Sequence, residues 1–222
     1  MRVILLGPPG SGKGTQACLV EEKYRLLRIS TGDLLRQAVR QRSGLGQQAE
    51  GLMAKGWLVP DELVAELVRE AVSSEEARQG YVLDGFPRNV SQAETLEGMD
   101  GQRAEIAIEI LIGQEELVKR LAGRRVCSQC QAVFNLEVNP PRVADLCDSC
   151  RGRLEQRKDD RTEVILERLR VFERETAPLR EHYRGRKVYH PVSGEGPVSR
   201  VFSRIAGLLD PLLAEPAREK RN

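Results

Sequence analysis

The sequence predicts an α/β fold, a parallel sheet flanked by helices, and three observations lead there. Short apolar runs at Val3–Leu6, Leu26–Ile29, Tyr81–Leu83, Ile106–Ile112 and Lys187–Val192 are separated by stretches of helical periodicity. Such runs, apolar almost throughout, suit strands buried on both faces. The first run leads straight into Gly7-Pro8-Pro9-Gly10-Ser11-Gly12-Lys13-Gly14-Thr15, and Gln16–Tyr24 reads as the helix that follows. Strand and helix then keep alternating, the order that crossover connections of a parallel sheet require.

The glycine-rich segment carries chemistry as well as a turn. Its glycines let successive backbone N–H groups face a single anion, the helix end adds its positive dipole, and Lys13 adds a mobile charge. Gly10, Ser11, Gly12, Lys13, Gly14 and Thr15 are therefore the candidate cradle for nucleotide phosphates, on a P-loop NTPase-type sheet. A turn that merely joins strand to helix is the plainer alternative; the Gly-x-x-x-x-Gly-Lys spacing between those two elements weighs against it. Many NTPases place a metal-binding hydroxyl directly after the lysine, but here that position is Gly14. Mg²⁺ must then rest on phosphate oxygens, water, Thr15 and carboxylates from elsewhere, which points away from switch GTPases and motor ATPases.

Helices are expected over Thr31–Arg42, with Asp33 in the first turn, and over Asp61–Val72 after Pro60. Further ones are expected at Ser91–Leu96, Gln114–Ala122, Arg161–Glu175 (ending before Pro178) and Val198–Leu209. Pro211 and Pro216 should break the chain after that, leaving a frayed basic tail, Ala217–Asn222. Two segments stand outside the alternation. Residues 30–59 form a helical excursion, and residues 123–160 hold short β-like pieces such as Ala132–Phe134.

The 222-residue chain is 40% hydrophobic and 31% charged with a net charge of +2, so no global pull toward nucleic acid or membrane is implied. Of its 35 cationic residues 28 are arginine, the better fork for phosphate, although a GC-rich genome produces the same bias. There is no apolar stretch of membrane-spanning length, and Met1 leads directly into the first strand, so a cytoplasmic location is expected. In a reducing compartment the cysteines need another explanation than disulfides. Cys127, Cys130, Cys147 and Cys150 form two Cys-x-x-Cys pairs separated by 16 residues, a Cys₄ zinc spacing. Four thiolates close the tetrahedron and mark the metal as structural. Cys18, beside Ala17 and Leu19, is expected to be a small buried apolar residue.

Four segments set arginines beside turns: Ile29–Arg36, Tyr81–Arg88, Arg120 with Arg124 as an i,i+4 pair on one helix face, and Arg157–Asp160 leading to Arg168. Asp84 ends a buried strand where a carboxylate serving Mg²⁺ would sit. Taken singly, each arginine is a solvated surface residue by default; four clusters on one such scaffold are not.

With these segments in hand the chain resembles adenylate kinases. The motifs that carry the resemblance are GPPGSGKGTQ, ISTGDLLR, Gly56-Trp57-Leu58-Val59-Pro60-Asp61-Glu62, LDGFPR, GRRVC, FNLEVNPP and QRKDD, in order over nearly the whole length. The Cys₄ segment is similar to the zinc-bearing long LID of the bacterial form. The resemblance implies a CORE of residues 1–29, 60–122 and 161–222, an AMP-binding domain of residues 30–59 and a LID of residues 123–160, hinged near Gly123. It implies that the loop holds ATP phosphates, with Arg120, Val133, Phe134 and Gly196 about the ATP base. Thr31, Arg36, Trp57, Leu58, Val59, Gly85, Phe86, Pro87, Arg88 and Gln92 would form the AMP site. Arg124, Arg157 and Arg168 would meet the transferring phosphate, and Asp33 and Asp84 would orient water on Mg²⁺. Departures from the family pattern are Phe134-Asn135 for the usual Tyr-His, Ser193-Gly194 for Asp-Gly, and Asn89 for Thr.

The implied reaction is reversible transfer from MgATP to AMP giving two ADP, by a monomer serving adenine nucleotide balance. A UMP/CMP kinase is the alternative within the class; the long zinc LID and Gln92, whose amide can both donate and accept, favour AMP. A P-loop protein gripping nucleic acid with its zinc ribbon would need basic, aromatic-studded knuckles, and between the cysteine pairs stand one aromatic, Phe134, and one arginine, Arg142.

Overall fold

The computed structural model describes residues 1–213 of the protein; Pro216 and the expected tail Ala217–Asn222 lie outside the described residues. Its strands are β1 (Arg2–Leu6), β2 (Leu27–Ser30), β3 (Tyr81–Asp84), β4 (Glu105–Leu111), β5 (Arg124–Cys127), β6 (Val133–Asn135), β7 (Leu154–Glu155) and β8 (Tyr189–Ser193). The helices are α1 (Lys13–Tyr24), α2 (Thr31–Arg40), α3 (Gly44–Ala54), α4 (Asp61–Val72), α5 (Val90–Asp100), α6 (Gln114–Ala122), α7 (Thr162–Val171), α8 (Leu179–Gly185) and α9 (Val198–Leu213).

Five strands form a wholly parallel sheet in the order β2-β3-β1-β4-β8, so each expected apolar run becomes a strand of one sheet. The central strand β1 is buried along its entire length, and its side chains alternate between two cores as the pleat demands. Ile4 and Leu6 join Leu35, Ala49, Val64, Val68, Ala93, Leu96, Leu179 and Tyr183, from α2, α3, α4, α5 and α8. Val3 and Leu5 face the other way, onto Ala17 and Val20 of α1 and Val201, Ile205 and Leu209 of α9. Charged residues interrupt the strands only where partners reach them. Arg2 donates to Glu105 and to the Leu96 and Asp100 carbonyls, while Glu109 accepts from Arg180 and Tyr189.

Neighbouring strands β1 and β3 send their helices to opposite faces, α1 to one core and α5 to the other. A crevice therefore opens beyond their C-terminal ends, the place where open α/β sheets bind ligands. Two further pieces overhang it. Helices α2 and α3 pack together on one side; a small antiparallel sheet, β6-β5-β7, stands on the other and encloses Cys127, Phe134, Cys147 and Leu154.

Several expectations need correction. The helix over Arg161–Glu175 is α7 followed by a wider π turn, Phe172–Thr176. Helix α8, short and bracketed by Pro178 and Gly185, was not foreseen, nor was α3 as a separate helix capped by Ser43. Pro211 does not end the last helix: its missing N–H forfeits one backbone bond, and α9 runs through it to Leu213. Cys18 is exposed, because it falls on the side of α1 away from Ala17 and Val20. Arg120 and Arg124 do not share a helix face, since α6 stops at Ala122 and Arg124 opens β5.

Helices α2 and α3 approach so closely at Gly46 that a Cβ there would lie 2.1 Å from the Ala38 carbonyl oxygen. Gly46→Ala is expected to destabilise the chain by about 1–3 kcal/mol through overpacking. Urea unfolding reads this as a lower midpoint with an unchanged slope; a midpoint at or above the original would refute it.

Candidate active site

The loop after β1 has the backbone its residues anticipate. Gly7 and Gly10 sit at φ 136° and 86°, and a Cβ on either would lie under 3 Å from Ile110 O or Leu121 Cγ. Gly12 precedes α1 without any side-chain cap, so the first N–H groups of the helix stay open toward the crevice. Ser11 Oγ, also buried, has no partner. Lys13 donates to the Gly7 and Pro8 carbonyls at 2.7 and 3.0 Å and bonds to no carboxylate among the described residues. Burial, with Arg88, Arg168 and Arg124 around it, brings its ammonium down to about 8, against the pull of Asp84. Gly14 lets that aspartate approach: a Cβ at Gly14 would stand 3.2 Å from Asp84 Oδ2.

A continuous cleft of about 1210 Å³ runs from this loop to α2, α3 and the small sheet. On its β2–β3 side, Thr31 donates to the Gly85 carbonyl at 2.9 Å, which ties the start of α2 to the end of β3. Arg88 donates from Nε to the same carbonyl and has no acidic partner among the described residues; burial and the charge of Arg168 bring it down to about 10. Gln92 is buried, its oxygen accepting from the Arg88 N–H and its nitrogen donating to Asp61. One N–H and one lone pair of that amide remain for a base edge. Arg36 donates to Asp33 Oδ1 at 2.6 Å, and Arg28 donates to Oδ2 at 2.9 Å. Against burial, the two guanidiniums hold the Asp33 carboxyl well below the usual carboxylate range.

On the far wall, Asp160 is fully buried and arranges two arginines. Arg124 grips it with Nε and Nη2 at 2.7 and 2.5 Å, and Arg168 donates to it at 3.0 Å while pairing with Asp159. Arg157 differs: among the described residues it has no ion-pair partner, and its buried Nε makes no hydrogen bond. Burial and the charges of Arg124 and Arg36 bring it down to about 9. Two polar contacts cross the mouth of the cleft, Arg40 to Gln131 and Lys158 to Glu50.

The four cysteines beside this wall bring their sulfurs within 4.8 Å of one another, with Cys127–Cys150 at 3.4 Å and Cys130–Cys147 at 3.5 Å. Zn–S bonds near 2.3 Å in a tetrahedron separate sulfurs by about 3.8 Å, so the cluster fits that ion. Against burial, the backbone N–H groups of Cys130 and Gln129 hold the Cys127 thiol at about 6. No position is left for a reacting group.

The cleft is bordered by Gly10 to Thr15, Thr31, Asp33, Arg36, Trp57 to Val59, Asp84, Gly85, Pro87, Arg88, Gln92, Arg120, Arg124, Val133, Phe134, Arg157, Arg168 and Gly196. Phe86 is the exception. Its ring is fully buried in the apolar core and does not reach the cleft. Phe134 mostly packs among the cysteines, whereas Val133 is about half exposed. Sequence reasoning missed the part played by Asp159 and Asp160, although an acidic pair within an arginine-rich segment was a signal that buried cations need partners. It also missed Arg28, a lone charge within an apolar strand.

A model of the adenylate kinase family matches residues 5–188. The chain belongs to the adenylate kinase family. The adenylate kinase of Clostridium tetani is 43% identical over 212 residues, covering 94% of this chain and 98% of its own. That of Archaeoglobus fulgidus is 43% identical over 213 residues, 95% and 98% of the two chains. In Geobacter sp. strain M21 the adenylate kinase is 45% identical over 209 residues, 92% and 97%. The chain is thus a nucleoside monophosphate kinase, an ATP:AMP phosphotransferase, and neither the UMP/CMP reading nor the nucleic-acid reading finds support. Among the described residues no helix is long and apolar enough to cross a membrane.

Two outcomes test the charge on Lys13 and the role of the cysteine cluster in this adenylate kinase. A bound polyanion must raise the depressed pKa of Lys13, so ATP binding above about pH 8 should take up protons and weaken as pH rises further. Calorimetry in buffers of different ionisation enthalpy measures the uptake; none at about pH 8.5 would contradict the assignment. Chelation, or Cys147→Ser, should lower the melting temperature while activity well below it falls far less than in Lys13→Met. Folded, metal-free protein that is wholly inactive in the cold would refute a structural role.

Proposed function

We propose that the cleft seats MgATP on the loop and AMP against α2 and β3, with the moving phosphoryl group between them. What carries this reading is a set of half-buried cations that meet no anion among the described residues: Lys13, Arg88 and Arg157, beside Arg36, Arg124 and Arg168. A protein concentrates unneutralised charge at a buried site when its ligand brings the opposite sign. Residues 1–29, 60–122 and 161–222 would act as the core, residues 30–59 as the AMP-binding domain and residues 123–160 as the LID.

In this reading the loop amides, Ser11, Thr15 and Lys13 hold the ATP phosphates, and Arg120, Val133, Phe134 and Gly196 border the base. Arg36 and Arg88 take the AMP phosphate, while Thr31, Trp57, Leu58, Val59, Gly85, Pro87 and Gln92 line the base pocket. Phe86, between Gly85 and Pro87 in this segment, keeps its ring in the core. Mg²⁺ neutralises phosphate charge when bound, and Asp84, with oxygens to spare next to the loop, would hold its water; Asp33 has only the lone pairs left by two arginines. No covalent step falls to the protein. AMP's own phosphate attacks in line, Arg124, Arg157 and Arg168 stabilise the charge on the transferring group, and overhanging walls exclude water that would otherwise accept it. The enzyme would work as a cytoplasmic monomer in adenine nucleotide balance.

A coupled assay with MgATP and AMP tests the reading, CMP and UMP being the competing acceptors. Lys13→Met should lose about a hundredfold or more in turnover, since it removes a charge from a water-poor site. Arg88→Ala should raise the KM for AMP above all, and Arg120→Ala that for ATP; identical effects on both substrates in both variants would overturn the partition.

A further inference from the structure

We propose that Arg28 is a positioning residue for the acceptor phosphate, acting through Asp33 on Arg36. The inference rests on the assignment of Arg36 to the AMP phosphate.

Arg28 stands in the middle of edge strand β2, between Leu27 and the buried Ile29, with its side chain largely buried along the cleft. Its Nη1 donates to Asp33 Oδ2 at 2.9 Å. Its Nε lies 3.4 Å from Glu21 Oε2 without the alignment of a hydrogen bond, and is buried with no partner. Arg36 Nη2 donates to the other oxygen of the same carboxylate. Asp33 is therefore divided between two guanidiniums, one oxygen to each.

A phosphate that takes the Nη2 edge of Arg36 competes with Asp33 Oδ1 for that donor. Were Arg36 the only partner, its departure would leave a half-buried carboxylate unpaired, and the pair would resist separation. With Arg28 in place, Asp33 keeps one charge-assisted hydrogen bond throughout, and Arg36 exchanges carboxylate for phosphate more easily. Arg28 also adds plain positive potential to the cleft. The two effects separate cleanly, because only the first depends on Asp33.

AMP titrations by calorimetry, without ATP or metal, decide it, with adenosine as the phosphate-free control and thermal melts confirming that each variant folds. Arg28→Gln should weaken AMP binding about fivefold, an ordinary coupling between adjacent charges, and leave adenosine within about twofold. Arg28→Lys, which keeps the charge, should stay within about twofold of the original for AMP. In an Asp33→Asn background, where Arg36 is already released, Arg28→Gln should change AMP affinity less than about twofold. Equal losses in both backgrounds, or equal losses for adenosine and AMP, would overturn the proposal. So would an unchanged AMP affinity in Arg28→Gln while Arg36→Ala loses most of it. If Arg36→Ala itself leaves AMP binding intact, the acceptor assignment fails first and the proposal falls with it.

Discussion

Repulsion among like charges held close together is the constraint on which this architecture turns. Lys13, Arg88 and Arg157 stand half-buried, in the field of neighbouring arginines among Arg36, Arg88, Arg124 and Arg168, and desolvation together with that repulsion lowers their pKa values. Such a cluster is unfavourable in an empty protein and has to be supported by the rest of the fold. Part of the support is acidic. Asp160, fully buried, takes a two-pronged grip from Arg124 and a third bond from Arg168, while Asp159 shares the latter. Carbonyl oxygen adds to it: Gly7 and Pro8 receive Lys13, and Gly85 receives Arg88, while the buried Nε of Arg157 has no partner among the described residues. Neutralisation is left incomplete, and the residual charge faces the cleft.

The sheet supplies the rigidity that holds those charges still. Because β1 and β3 are neighbours whose helices leave toward opposite faces, the loop before α1 and the turn before α5 open beside each other. Gly14 then matters for what it lacks. With no side chain there, the carboxylate of Asp84 at the end of β3 comes up to the loop from the adjacent strand. The missing hydroxyl and the nearby carboxylate are two sides of one local arrangement.

Much of this was legible in the chain. Five apolar runs announced five parallel strands, since a strand covered on both faces needs apolar residues at successive positions. Two Cys-x-x-Cys pairs announced four converging sulfurs. Less legible was whatever depends on partners distant in sequence. Cys18 sits between apolar neighbours, yet helix geometry turns it outward; Phe86 lies within a motif at the cleft, yet its ring goes to the core. The short helix α8 hides between a proline and a glycine, and Arg124 seemed to extend a helix that stops two residues earlier. Asp160 is the clearest case. Its arginine-rich surroundings signal that it meets a cation, yet only the fold tells which one, by bringing Arg124, 36 residues away, onto it.

The contacts that span the mouth of the cleft have a consequence for turnover. Arg40 with Gln131 and Lys158 with Glu50 are exposed, and among the described residues they are the polar bonds joining the α2–α3 pair to the cysteine-bearing wall. Exposed pairs of this kind contribute about 0–1 kcal/mol and are screened by salt. They can set the registry of the two walls but cannot hold them together. On the proposed reading, cohesion across the gap comes from the guests, whose phosphates would bridge cations on both sides. Without those polyanions the same cations repel one another across the cleft. Binding and release would then draw on one set of charges, attraction to the guest on arrival and mutual repulsion once it has gone.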